Sequence, residues 1–124
     1  MIGPKPHIAV IDDDSSVRTA LARLLTLNSY SAKAFGSAQE FLDSLAVCKP
    51  ECVVLDLHMP GINGFELQGR LQHNNIDIPT VIITAHNEPG LRERCSKAGA
   101  VAFLVKPLLA ADLIHAIDGA IARR

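Results

Sequence analysis

Short apolar runs alternate along the chain with longer segments in which apolar residues recur every three or four positions. The runs at 7–11, 51–56 and 79–84 are almost continuously apolar, which is typical of strands buried on both faces of a sheet. Residues 30–35 and 100–105 carry weaker versions of the same pattern and predict two outer strands.

A segment with helical spacing follows each predicted strand. The pattern predicts helices over about 15–27, 38–48, 64–72, 88–98 and 109–122. Asp14 or Ser15 is suited to cap the first helix, a capping box begins at Ser37 before the second, and Asn87 is suited to cap the fourth. Gly99 is expected just past the end of the fourth helix.

Strict alternation of strands and helices predicts a parallel sheet covered by helices on both faces. The chain has 124 residues, of which 48% are hydrophobic, a size and composition suited to one domain with a full core. We therefore predict a single α/β domain over residues 1–124, a (βα)5 sandwich of three layers around a five-stranded sheet.

Composition narrows the function classes. The formal net charge of −1 argues against direct nucleic-acid binding by this domain. Three cysteines without C-x-x-C spacing argue against a disulfide framework and a cysteine zinc site. No apolar run reaches the roughly 18 residues that a membrane span needs, so we expect no membrane association and a cytoplasmic location.

Polar residues stand at the ends of four predicted strands. Right-handed crossovers bring the carboxyl ends of parallel strands to one edge of the sheet, where open α/β sheets place their sites. The residues are Asp12 and Asp13 after the first strand, Asp56 at the end of the third, Thr84 at the end of the fourth and Lys106 after the fifth.

This set of side chains predicts a chemistry. Three neighbouring carboxylates repel one another unless they are neutralised, and oxygen ligands suit a hard divalent cation, Mg²⁺ or alternatively Mn²⁺. Lys106 supplies an ammonium that can hold an anion. Asp56 can then act as a nucleophile, which indicates phosphoryl transfer onto its carboxylate.

The chain resembles the receiver domain of a two-component response regulator over about residues 8–121. The resemblance implies the flavodoxin-like strand order 2-1-3-4-5. It rests on Asp12-Asp13 after strand one, Asp56 in a D-x-x-M-P-G turn, Thr84-Ala85 after strand four and Lys106-Pro107 after strand five.

By this resemblance Asp56 is the phosphoacceptor. Asp13, Asp56 and the backbone carbonyl of His58 would bind Mg²⁺ directly, and Asp12 would act mainly through water. The side chain of His58 is expected to be a rim group, more relevant for its backbone than for its ring.

The resemblance also assigns the phosphoryl-binding and switch residues. Thr84, Ala85 and Lys106 would contact the phosphoryl group, and Thr84 and Phe103 would be the switch residues. The Lys106–Pro107 peptide bond is expected to be cis.

Four longer stretches, 10–18, 34–42, 64–68 and 98–104, resemble receivers of nitrogen-fixation-type regulators, which carry a C-terminal helix-turn-helix domain. The implied partners are a histidine kinase or phosphotransfer protein, a DNA-binding domain absent from this chain, and a second copy in a phosphorylation-dependent homodimer. A stand-alone receiver acting through protein binding and an excised N-terminal domain both stay open.

Three other functions fit the residues less well. An aspartyl-nucleophile phosphatase of the haloacid-dehalogenase type needs an acid two residues after its nucleophile, where this chain has His58. A flavin-binding module needs a phosphate loop after strand one, where this chain has three acids. A receiver that is never phosphorylated would not need the complete set of site residues.

Overall fold

The computed structural model describes residues 5–122, which form five strands and five helices in alternation. The strands are β1 (His7–Ile11), β2 (Ser31–Phe35), β3 (Cys52–Asp56), β4 (Thr80–Thr84) and β5 (Ala102–Val105). The helices are α1 (Ser15–Leu27), α2 (Ala38–Ser44), α3 (Gly64–His73), α4 (Leu91–Lys97) and α5 (Ala110–Ala122). Within this part of the chain, no helix is long and apolar enough to cross a membrane.

All neighbouring strands are parallel, and the order across the sheet is β2-β1-β3-β4-β5. This confirms the predicted fold and strand order. Every residue of β3 and β4 is buried, as expected for strands with helices on both faces. The register pairs Asp56 with Ile83, which places Thr84 beside the end of β3.

Two apolar layers flank the sheet. On one face Phe41 of α2, Leu67 of α3 and Cys95 of α4 pack on the side chains of alternate strand residues. On the other face Leu25 of α1 and Ile117 of α5 do the same. The sheet is therefore packed on both faces, which fixes the positions of the strand ends at its carboxyl edge.

Two predicted helix boundaries are wrong. Asn87 does not cap α4. The Leu91 N–H donates to the Glu88 carbonyl and closes a turn between Asn87 and the helix. The helix α4 therefore begins at Leu91, directly after Gly90, whose φ is +81°. The second helix ends at Ser44 and not near residue 48, because its last turns tighten, with the Leu45 N–H donating to the carbonyl three residues back.

Two other predicted helix signals, at Asp14 and Gly99, are confirmed. Asp14 caps α1 by accepting from the N–H groups of Ser16 and Val17. Gly99 follows α4 with φ +101°, where a side chain would be strained. The helix ends are thus set mostly by local hydrogen bonds that the sequence encodes.

Gly64 is the position at which we expect the fold to tolerate a methyl group least. A Cβ there would lie 2.9 Å from Leu57 Cα and 3.2 Å from the Asp56 carbonyl oxygen, both backbone atoms. Gly64→Ala should therefore lower the free energy of unfolding by about 1–3 kcal/mol, as overpacking does elsewhere. Urea denaturation measures the change.

Gly69→Ala is the matched control on the same helix, because a Cβ there meets no atom within 4 Å. It should be neutral or stabilising by up to about 1 kcal/mol through helix propensity. Equal loss of stability in both variants would contradict the close approach of α3 to the end of β3.

Candidate functional site

Three carboxylates meet at the carboxyl edge of the sheet. One oxygen from each of Asp12, Asp13 and Asp56 lies within 4.8 Å of the other two, a grouping that could hold a metal ion. Asp12 is fully buried and Asp56 is 5% exposed, whereas Asp13 faces solvent. The structure therefore brings together the acids that the sequence placed at two strand ends.

Backbone contacts position Asp12. The N–H of Asp12 donates to the Phe35 carbonyl at 3.1 Å, which continues the β1–β2 pairing by one residue. The N–H of Asp14 donates to Asp12 Oδ1 at 2.9 Å, and Asp14 itself caps α1. Asp14 thus orients the Asp12 carboxylate while its own side chain is engaged in the helix cap.

The ammonium of Lys106 lies between two of the carboxylates. Its Nζ is 2.8 Å from Asp12 Oδ2 and 3.8 Å from Asp56 Oδ1. The backbone N–H of Lys106 donates to the Thr84 carbonyl at 2.7 Å, and the Lys106–Pro107 bond is cis. Because Asp12 is buried, this attraction is screened much less than that of a surface pair.

Burial raises the pKa of Asp56 from its ordinary 3.8 to about 6. The charge of Asp12 and, less strongly, that of Asp13 add to the rise, whereas Lys106 and the backbone N–H of His58 lower the pKa. Asp56 is therefore mostly ionised at neutral pH, as a nucleophile must be, but it accepts a proton more readily than a surface aspartate.

Thr84 stands beside Asp56 at the end of β4 and is fully buried. Its hydroxyl donates to the carbonyl of His86 at 3.2 Å and accepts from the His86 N–H at 3.1 Å. Ala85, between these two residues, is exposed and adds no bulk beyond a methyl group. The edge of the sheet next to Asp56 thus carries one hydroxyl and an open approach.

Phe103 lies within the core and not among the carboxylates. It is 5% exposed and packs in the same apolar layer as Leu91 and Cys95 of α4. The guanidinium of Arg92 lies 4.9 Å from the centroid of the Phe103 ring and donates to the Phe103 carbonyl at 3.4 Å. Phe103 therefore links β5 to α4.

Two features of the site were not predicted from the sequence. Arg18 Nη1 donates to the carbonyl of Asp12 at 2.8 Å; its only signal was its position one helical turn after the Asp14 cap. His58, which is expected as a rim group, faces His86 with ring centroids 5.3 Å apart. Their pairing depends on the β3–β4 register and has no local sequence signal.

Comparison with known proteins identifies the family. Residues 8–118 match the response regulator receiver domain. Nodulation protein W of Bradyrhizobium diazoefficiens is 38% identical over 119 residues, which is 96% of this chain and 52% of that protein. Transcriptional regulatory protein FixJ of the same organism is 40% identical over 117 residues, 94% of this chain and 57% of that protein.

Solved structures agree with these matches. The crystal structure of FixJ-N superimposes with a TM-score of 0.89 at 34% identity, covering 100% of this chain and 98% of that one. Response regulator StyR superimposes with a TM-score of 0.86 at 40% identity, covering 96% of this chain and 60% of that one. The chain spans about half the length of the curated relatives it matches.

Asp56→Asn should stabilise the metal-free protein at about pH 7–8, by about 2–3 kcal/mol in the free energy of unfolding, because the Asp56 pKa is about 6 when folded against 3.8 ordinarily. The folded state holds this proton more tightly than the unfolded chain does. Wild-type stability is therefore lost as the pH rises from about 4 to about 6, and the advantage of the Asn variant should vanish below about pH 4.

Urea denaturation in a metal chelator at a series of pH values measures this difference. Asp43→Asn, which removes an exposed carboxylate on α2, controls for the loss of one negative charge. A stability difference between Asp56→Asn and wild type that stays constant over the whole pH range would contradict the raised pKa.

Proposed function

The chain belongs to the response regulator receiver domain family, and on that premise we propose that Asp56 is the residue that accepts its phosphoryl group. The observation that carries the proposal is the position of Lys106, whose ammonium lies within 4 Å of both Asp12 and Asp56 at the carboxyl edge of the sheet. A receiver domain is a signalling module, and the proposed reaction is its own phosphorylation by a histidine kinase.

Asp56 is the carboxylate best suited to act as the nucleophile. Asp12 is fully buried, with Oδ1 accepting from a backbone N–H and Oδ2 paired with Lys106. Asp56 Oδ1 is 3.8 Å from the ammonium and so is held less tightly. In the proposed reaction a carboxylate oxygen of Asp56 forms a bond to phosphorus while the bond from phosphorus to the donor imidazole breaks.

The acidic cluster fits Mg²⁺, or Mn²⁺, because it offers only oxygen ligands and more than one negative charge. We propose that Asp13, Asp56 and the backbone carbonyl of His58 hold the ion, with Asp12 acting mainly through water. When bound, such an ion neutralises negative charge on the transferred phosphoryl group. Arg18 donates to the Asp12 carbonyl and so helps to hold the Asp12 backbone in place at the edge of the sheet.

Lys106 and Thr84 are proposed to contact the phosphoryl oxygens. Lys106 supplies a positive charge on a strand end that is fixed to Thr84 through the backbone. The hydroxyl of Thr84 lies on the adjacent strand, beside Asp56, and the small side chain of Ala85 leaves the approach open. These groups would stabilise charge on the phosphoryl group as it transfers.

We also propose that the domain works within a longer regulator that controls transcription. The support is that this chain matches only 57% of FixJ and 53% of TdiR, both of which are transcriptional regulatory proteins. The output would be a DNA-binding domain, and phosphorylation would shift a pre-existing equilibrium that favours dimer or output contacts. We propose Thr84 and Phe103 as the residues that couple the site to that surface.

Phosphorylation tests the acceptor directly. Incubation with acetyl phosphate and Mg²⁺ should add one phosphoryl group to the wild type and none to Asp56→Asn. The other carboxylate paired with Lys106, that of Asp12, is fully buried and already uses both of its oxygens. Intact-mass spectrometry measures the addition. Asp43→Asn should be modified like the wild type.

The result must also depend on the proposed metal and ammonium. Addition of a chelator, or the Asp13→Asn substitution, should slow the reaction strongly, and Lys106→Gln should slow it as well. Phosphate on Asp56→Asn, or no phosphate on wild type under any metal condition, would refute the assignment.

Phe103→Leu should leave phosphorylation intact but weaken the link between phosphorylation and dimerisation, because it removes the ring on which Arg92 stacks. Phe103→Leu is preferred to Phe103→Ala, which would cost about 3–5 kcal/mol of core packing. Sedimentation of phosphorylated and unphosphorylated protein measures the coupling.

Phe65→Leu is the control. The guanidinium of Arg94 lies 4.0 Å from the centroid of the Phe65 ring, but Phe65 belongs to α3 and not to β5. It should leave the coupling unchanged. If Phe103→Leu also leaves it unchanged, Phe103 is a packing residue only.

A further inference from the structure

His58 and His86 form a pair of exposed imidazoles at the mouth of the carboxylate cluster. Each follows the end of a central strand by two residues, His58 after Asp56 of β3 and His86 after Thr84 of β4. Their ring centroids are 5.3 Å apart and the ring planes meet at 78°. Neither imidazole has a role in the function proposed above, which uses only the backbone of His58.

The separation of the ring centroids allows the two imidazoles to share one metal ion. An ion bound to an imidazole nitrogen at about 2.1 Å lies about 3.2 Å from the ring centroid. Two imidazoles bound to one ion at the tetrahedral angle of about 109° therefore have centroids about 5.2 Å apart. The observed 5.3 Å is within about 0.1 Å of that separation.

The backbone on both sides of the pair is held by hydrogen bonds. The N–H of Leu57 donates to the Ile83 carbonyl at 3.0 Å, which extends the β3–β4 pairing to the residue before His58. The N–H of His86 donates to the Thr84 hydroxyl at 3.1 Å. The backbone at both histidines is therefore already ordered before an ion binds. Because both rings are exposed, there is room for the other ligands of a bound ion.

The charge and ligand type of the surroundings select the kind of ion. The neighbouring carboxylates give this edge of the sheet a negative potential, which concentrates cations there. Imidazole nitrogen suits zinc and similar transition metals, whereas Mg²⁺ prefers oxygen. Two classes of divalent ion can thus bind at the same edge without competing for the same atoms.

We propose that His58 and His86 together bind one divalent transition-metal ion of the zinc type through their ring nitrogens, with water or a phosphoryl oxygen completing its coordination. This site is separate from the oxygen site of Asp12, Asp13 and Asp56.

Calorimetric titration of Zn²⁺ into the protein, with Mg²⁺ saturating and in a Cys48→Ser background that removes the exposed thiol, tests the site. The expected result is one Zn²⁺ per chain. His58→Ala and His86→Ala should each weaken binding by at least about tenfold, since each removes one of two protein ligands. His73→Ala, which removes an exposed imidazole on α3, should change nothing.

Cobalt substitution gives a second readout that does not depend on phosphorylation. Co²⁺ bound at this site should give a visible absorption spectrum of four-coordinate type, and the spectrum should be lost in both histidine variants but kept in Asp56→Asn. Retention in Asp56→Asn separates this proposal from the phosphoacceptor assignment, because that variant cannot be phosphorylated under the assignment.

Three results would overturn the proposal. One is the absence of stoichiometric Zn²⁺ binding, which would leave the two rings as an edge-to-face contact of ordinary spacing. The second is binding that survives in both histidine variants. The third is binding that is abolished by Asp13→Asn, which would place Zn²⁺ on the carboxylates.

Discussion

The contact between the Lys106 ammonium and the carboxylates of Asp12 and Asp56 is the interaction on which the site depends. Two acids buried to this extent would otherwise repel each other and favour protonation. With Nζ at 2.8 Å from one and 3.8 Å from the other, the ammonium offsets part of that repulsion. The Asp56 carboxylate can thus stay largely ionised at neutral pH although it is only 5% exposed.

In the proposed function, the ammonium would also couple the site to metal binding. Asp12 already uses Oδ1 for the Asp14 N–H and Oδ2 for Lys106. A cation that approaches this carboxylate closely therefore competes with Lys106, and the lysine becomes more available to another anion as the metal enters. Under the proposed function, the arrangement that pairs Lys106 with Asp12 in the metal-free protein would leave the lysine available to a phosphoryl group once a metal ion is bound.

Residues fixed by strand position could be predicted from the sequence. Asp12, Asp56, Thr84 and Lys106 each stand at the carboxyl end of a strand, and parallel topology alone brings such ends together. Features that depend on side-chain direction or on a turn could not be predicted. The start of α4 depends on the left-handed Gly90 rather than on Asn87, because the turn between them carries the chain past the expected cap.

The contacts of Arg18 and the pairing of His58 with His86 belong to that second class. Arg18 reaches Asp12 only because α1 is capped by Asp14 and so begins at a defined distance from the end of β1. The two histidines meet only because β3 and β4 pair in one register. Neither contact can be predicted before the positions of neighbouring elements in the fold are known.

The Thr84 hydroxyl has a further consequence for the loop that leads into α4. A hydroxyl carries a single proton, and in this structure Thr84 donates it to the carbonyl of His86 while accepting from the N–H of the same residue. Any state in which Thr84 turns to donate to another oxygen must leave that carbonyl without its donor. Such a change at Thr84 would therefore remove one hydrogen bond that holds the loop before α4, without any steric push from the site.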